Sequence, residues 1–292
     1  MRIERDESVD QGCKRIVRET LAKAAGLARD EALEADERVH EVRLCLKRAR
    51  AVVALVAVAA GKPALRDDRR LREIGRTLGP WRDRAVAREA LARLSRTSGR
   101  AGGAPVEPSP PLDRWLRRAL ATDDAGARLA VAAAALERAV GVVGGWKIGH
   151  GRRAARAGFE DAYRRARRAY RRAGEDAAPE DFHAWRKAVK RLGYQMELLA
   201  ARAPGAGAGG ARLKQLARVL GDLHDLEVLR GILERAGRAV GRSDARDALV
   251  AVIDVRDREL RRQARALGAA LFARRPSEVG DRVRASWVRA DA

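Results

Sequence analysis

The strongest constraint on this chain is that it carries two motifs twice. His40-Glu-Val-Arg43-Leu-Cys-Leu-Lys47-Arg48 returns as His183-Ala-Trp-Arg186-Lys187-Ala-Val-Lys190-Arg191, sharing H-x-x-R-x-x-x-K-R at a separation of 143 residues. Leu71-Arg72-Glu-Ile-Gly-Arg76-Thr-Leu-Gly79-Pro-Trp-Arg82-Asp83 returns as Leu213-Lys214-Gln-Leu-Ala-Arg218-Val-Leu-Gly221-Asp-Leu-His224-Asp225 at a separation of 142. Two unlike motifs, repeated in the same order at nearly one offset, mark a tandem duplication. The halves are expected to be related by a pseudo-two-fold axis.

Apolar residues recur at three- and four-residue spacing along most of the chain, and no β-branched alternation reads as a strand. The fold class expected is all-α. Gly and Pro punctuate the pattern at 61–63, 95–111, 174–179 and 204–210. Helices are expected near 10–32, 36–60, 65–95, 112–145, 151–173, 180–202, 211–238 and 243–272, with a short one near 277–290. The eight main helices make two four-helix bundles. One domain over 1–292 is therefore expected, with halves at about 8–145 and about 150–275 and a Gly/Pro-rich loop at 97–111. Only 11 residues are aromatic, so Ala and aliphatic side chains must fill the core.

On a helical wheel at about 100° per residue, with His40 as zero, Arg43, Lys47 and Arg50 fall at roughly 300°, 340° and 280°. Val42, Leu46, Ala49 and Val53 cluster opposite, near roughly 180° to 240°. In the second copy His183, Arg186, Lys187, Lys190 and Tyr194 gather on one side, while Phe182, Trp185, Val189, Leu192 and Met196 form the apolar stripe. Each half thus has one amphipathic helix with a basic ridge led by a His, to which Arg48 and Arg191 belong.

These ridges sit in a chain with 62 Lys plus Arg against 40 Asp plus Glu, a formal net charge of +22. Arginine supplies 54 of the 62 cations, and its planar fork matches phosphate oxygens in pairs. A phosphate-rich polyanion fits this balance. Like charges at i, i+3 and i+4 repel, and two ridges facing one another across the pseudo-axis would line a cleft that a polyphosphate relieves. Near such an anion the imidazoles are expected to take up protons, with binding strengthening as pH falls through the His range. A basic run on a single helix is ordinarily a solvated face. Its repetition at identical spacing, with the intervening residues free to vary, favours a shared ligand surface.

In the second motif Arg72, Arg76 and Asp83 share one side of the wheel, as do Lys214, Arg218 and Asp225. Each Asp is expected to orient neighbouring cations, Gly79 and Gly221 to permit close helix contact, and Pro80 to kink its helix. The segment 152–172 holds nine Arg against Glu160 and Asp161. Arg164, Arg165 and Arg168 are its candidates for phosphate contact. No metal site is expected, because neither His40 nor His183 has an acid at i+3 or i+4 and cations crowd both.

At these residues the chain resembles the CHAD family, the conserved-histidine α-helical domains, from about Ile16 to about Phe272. The likeness rests on the two H-x-x-R-x-x-x-K-R helices, the two Leu-Gly-x-x-(Arg/His)-Asp helices, Tyr163-Arg-Arg-Ala-Arg167 and Lys190-Arg-Leu-Gly-Tyr194-Gln-Met-Glu-Leu-Leu. The resemblance implies two four-helix bundles around a basic groove or pore that binds long-chain inorganic polyphosphate, with recruitment to polyphosphate granules. Gly193 stands where the family usually has Arg, and Ala166 replaces a usual Gly. Many relatives join the domain to a CYTH triphosphatase with a Glu-x-Glu-x-Lys signature, which does not occur here.

The function expected is noncatalytic polyphosphate binding without a cofactor. Granule-associated proteins are conceivable further partners, and any contact with nucleic acid is expected to be weak and nonspecific. No Walker loop or nucleophile with a base is evident. A nucleic-acid binder is the first rival, disfavoured because Tyr194 is the only aromatic on either ridge. The second is a phosphoryl-transfer enzyme with a His acceptor, which phosphate release or a phosphorylated His40 or His183 would reveal. The charged residues 1–10 lack a signal-peptide core, and the apolar run 51–61 is too short to span a bilayer. Cys13 and Cys45 have no ligand or disulfide spacing. A cytoplasmic protein without membrane contact is expected.

Overall fold

Ser8 opens the first helix with a reciprocal cap: its hydroxyl accepts from the Gln11 N–H, and the Gln11 side chain accepts from the Ser8 N–H, both at 3.2 Å. The computed structural model describes residues 2–4, 7–79, 84, 86–87, 89–92, 110–119, 125–174, 176–201, 209–240 and 244–290. The helices are α1 (Val9–Arg29), α2 (Ala35–Thr77), α3 (Pro110–Ala119), α4 (Ala125–Val142), α5 (Gly151–Arg172), α6 (Pro179–Leu199), α7 (Gly210–Val240), α8 (Asp244–Leu271) and α9 (Pro276–Ala290). The fold is all-α, with no strand among the described residues. None of the described helices is long and apolar enough to cross a membrane. Where the periodicity predicts one helix over 112–145, the structure has α3 and α4. The loop at 97–111, Pro80 and Asp83 fall wholly or mostly outside the described residues.

Helix α2 is a hairpin. A straight helix rising 1.5 Å per residue would separate Arg50 from Asp68 by about 27 Å. Instead Arg50 Nε lies 2.8 Å from Asp68 Oδ1, and Arg43 Nη1 donates to the Gly75 carbonyl at 2.6 Å. The reversal is at Gly61, with φ 61° and ψ −143°, a conformation that favours glycine. Pro63 follows in the first turn of the second arm, where its missing N–H costs nothing. The arms 35–60 and 62–77 divide where the Gly61–Pro63 punctuation predicts, but α2 ends at Thr77, where a single helix over 65–95 is expected.

Helices α1, α2 and α4 pack together, α5 to α8 pack in sequence, and α9 lies against α5. Helix α2 also meets α5 and α6, and α3 meets α7. The apolar stripes drive this. Val42, Leu46, Ala49 and Val53 of α2, and Phe182, Trp185, Val189 and Leu192 of α6, are all buried. Trp185 joins Tyr170 and Phe272, with ring centroids 5.3 and 6.4 Å away, and Gly268 leaves the room they need.

The seam between the two halves is closed on backbone. A Cβ built on Gly158 of α5 would land on the Leu55 carbonyl of α2. One turn away, buried Gln195 of α6 donates from Nε2 to the Ala51 carbonyl at 3.1 Å. The expected close-contact glycines do not serve this way. Among the described residues nothing lies within 4 Å of a Cβ at Gly221, and at Gly79 the Arg43 guanidinium alone approaches, at 3.8 Å. Gly158 takes that role because it faces a helix from the other half. Gly158→Ala should therefore destabilise the fold by roughly 3 kcal/mol or more, at the upper end of overpacking costs. Gly26→Ala, on an exposed helical face with open space around it, should be neutral or slightly stabilising. Urea denaturation of the two variants checks both.

Candidate functional site

Burial of the two stripes fixes the direction of the ridges. The first arm of α2 presents Arg48 and Arg50, the second arm presents Asp68 and Arg72, and α6 presents Arg186, Lys187, Arg191 and Tyr194. Arg48, Arg50, Arg186, Arg191 and Tyr194 are half-buried, while Arg72 and Lys187 are exposed. These groups feel one another across the seam. The Lys187 side chain reaches solvent, but partial loss of water around it lowers the ammonium pKa, and Arg186 together with Arg50 and Arg72 of α2 lowers it further. Arg191 is likewise pushed down by burial and by Arg50, Arg165 and Arg72, with Asp68 opposing. Burial raises the pKa of the Tyr194 hydroxyl, while Arg48 opposes that from across the seam. The Nε of Arg48 is buried and has no hydrogen-bond partner among the described residues.

The carboxylate that grips this cluster is Asp68. Arg50 donates to it through Nε at 2.8 Å and Nη2 at 3.3 Å, and Arg72 Nη2 donates at 3.1 Å. Burial alone would raise its pKa. The Arg50 fork, with Arg191 and Arg72 nearby, outweighs burial and holds the carboxyl below the usual range. Sequence reasoning misses Asp68 because it looks for orienting acids inside the repeated motifs. The signal is its position four residues before Arg72 on the returning arm. Asp225 is half-buried on α7. Arg43, on the first ridge, is turned to the Gly75 carbonyl and so ties the two motifs together.

The other predicted residues divide by position. Lys47 and Lys190 are half-buried, and His40, Arg76, Lys214 and Arg218 are exposed. On α5, Arg164 pairs with Glu160 at 2.6 Å and Arg165 with Asp161 at 2.6 Å, so the densest run of positive charge is partly offset within its own helix. Arg165 still bears on Arg191, and Arg168 is exposed. Helix α6 runs unbroken through Gly193, which faces Leu213 at an ordinary 3.8 Å.

His183 departs from expectation. Its Nδ1 lies 3.1 Å from His224 Nδ1, and His224 Nδ1 lies 3.4 Å from Glu227 Oε2. The three line a cavity of about 210 Å³ with Phe182, Leu220, Arg261 and their neighbours. Their ligand atoms all fall within 4.8 Å of one another, a donor set of the kind a divalent cation takes. The sequence expectation of no metal looks along single helices, whereas this set forms across α6 and α7. Burial, His224, Lys187 and Arg186 lower the His183 pKa from 6.5 to about 4. In the unliganded protein His183 is therefore neutral through the ordinary His range rather than protonated. Cys13 and Cys45 are buried free thiols, and burial pushes Cys13 up to about 12.

The neutral His183 has a pH signature. A histidine whose folded pKa is depressed binds fewer protons folded than unfolded, so its contribution is intact above about 6.5 and is lost as pH falls toward about 4. In His183→Gln the decline of thermal stability across that window should be shallower than in the wild type. Equal slopes in calorimetric melts would show that His183 takes up its proton in the fold as it does in the unfolded chain.

Comparison with known proteins agrees with this architecture. The profile of the CHAD domain family matches residues 14–234. The crystal structure of the CHAD domain from the plant Ricinus communis superposes with a TM-score of 0.60 at 20% identity, covering 98% of this chain and 94% of that one. No curated protein matches the sequence. With its helices in the CHAD arrangement and the family profile spanning both copies of the H-x-x-R-x-x-x-K-R motif, this chain belongs to the CHAD family.

Proposed function

We propose that the protein binds inorganic polyphosphate, without catalysis, along the cations that face each other where α2, α5 and α6 meet. The observation that carries this reading is the cross-seam crowding of Lys187, Arg186 and Arg191 with Arg50 and Arg72, with Asp68 the carboxylate that bears on most of them. Cations held this close by a buried apolar scaffold repel, and part of the folding free energy sustains them. A chain of phosphates relieves that repulsion at successive positions and releases its own condensed counterions. The buried Arg48 Nε supplies a donor already stripped of water. Family membership supports the same ligand, and targeting to polyphosphate granules in the cytoplasm follows as the cellular role. The wider set on both ridges, His40, Lys47 and Lys190 included, extends the surface along the chain.

The test is binding of long-chain polyphosphate across a salt series. Affinity should fall steeply with salt. Arg48→Gln combined with Lys187→Gln should lower affinity by about tenfold or more at low salt and reduce the slope of log K against log salt by about two. Orthophosphate should bind far more weakly. RNA displacing polyphosphate at equal phosphate concentration would favour a nucleic-acid role, and phosphate release during incubation would favour an enzyme.

A further inference from the structure

Asp68 is placed where an anion site is least expected to hold an acid. Its side chain is only 17% exposed, and it lies between the two arms of the α2 hairpin with both oxygens engaged. Three donors that point toward its position, Arg50 Nε, Arg50 Nη2 and Arg72 Nη2, are satisfied by it. Arg191 of α6 lies near enough to feel the same carboxylate. The group is a fixed internal anion, built into the middle of the cation cluster.

A fixed anion affects ligands of different length differently. A lone phosphate must gain its affinity from one local set of donors. In this corner it meets donors already taken and a like charge at close range. A long chain meets the same repulsion at one point along its length, while every further phosphate adds contacts with Arg48, Arg186, Lys187 and the cations beyond. The unfavourable contact is incurred once and the favourable ones accumulate, as in any multivalent association.

We infer that Asp68 is a specificity-determining residue, an internal anion that excludes single phosphate groups from the Arg50–Arg72–Arg191 corner and so restricts binding to polyphosphate chains. The inference rests on the polyphosphate reading above. Its geometry predicts what removal of the charge does: the three donors turn outward, the corner becomes a site of unopposed cations, and a small phosphate enters it.

The experiment compares the full-length wild type with Asp68→Asn and Asp68→Glu. Each is titrated calorimetrically with orthophosphate, tripolyphosphate and long-chain polyphosphate at one ionic strength. In Asp68→Asn, affinity for orthophosphate and tripolyphosphate should rise by about tenfold, with a change of less than about threefold for the long chain. Asp68→Glu, which keeps the charge, should not gain. A uniform loss for all three ligands in Asp68→Asn would assign Asp68 a purely structural role and overturn the inference, as would an unchanged ratio of long-chain to short-chain affinity. Melting curves provide a second readout should Asp68→Asn be weakly folded. Replacing chloride by orthophosphate at equal ionic strength should raise its Tm more than that of the wild type, and an equal rise would count against the inference. A wild type that fails to bind long-chain polyphosphate sinks the proposed function. In that case a gain of orthophosphate binding in Asp68→Asn still upholds the internal anion, and no gain overturns it.

Discussion

The crowding of cations from α2 and α6 depends on how closely the backbones of α2 and α5 approach at Leu55 and Gly158. No side chain separates them there, and the amide of Gln195 adds a hydrogen bond to the same stretch of α2, at Ala51. The contact is van der Waals in origin and intolerant of a single methyl group. Its effect is electrostatic. It sets the distance between the first-half ridge, with Arg48 and Arg50, and the second-half ridge, with Lys187 and Arg191. A looser seam would leave two ordinary solvated basic faces.

The cluster is therefore held chiefly by apolar burial, with the ion pairs to Asp68 acting within that frame. Trp185, Val189 and Leu192 below the α6 ridge, and Val42, Leu46 and Ala49 below the α2 ridge, are inaccessible to water. Each such side chain contributes on the order of 1.5–3 kcal/mol when fully buried, the small Ala49 less, against repulsions that are individually smaller in a half-exposed setting. Asp68 offsets part of the repulsion. The acids that pair with Arg164 and Arg165 on α5 do the same farther out.

Much of this was legible in the sequence, and the boundary of what was legible follows a physical rule. Helical periodicity is local, so the helix positions, the stripe residues and the side of each helix that carries Arg and Lys could all be read from spacing. The Gly61–Pro63 pair marked a break correctly, because only a positive φ fits there. Contacts between helices were not legible. His183 reads as one more donor on a basic ridge until His224 and Glu227 arrive from α7, at which point burial makes it neutral. Gly158 carries no signal of its own inside an Arg-rich run, and its role is set only where Leu55 lies against it. Asp68 lies outside both repeated motifs, and its role is set only where the hairpin brings Arg50, eighteen residues away, onto it. Each omission is a tertiary contact between residues whose own helix gives no hint of a partner.

Asp68 has a neighbour that ties the cluster to a different part of the chain. Asp67 is buried and faces the other way, accepting the Trp146 indole N–H at 2.6 Å and the Gly144 N–H at 3.2 Å from the connection between the two halves. Two successive carboxylates on one helical turn thus hold opposite things: Asp67 anchors the connection between α4 and α5, and Asp68 anchors Arg50 and Arg72. The arm 62–77 acts as a rigid strut between them, since successive helical residues cannot shift independently. The connection between α4 and α5 and the electrostatic centre where α2 meets α6 are thereby mechanically one unit, and Trp146 stands at its inner end.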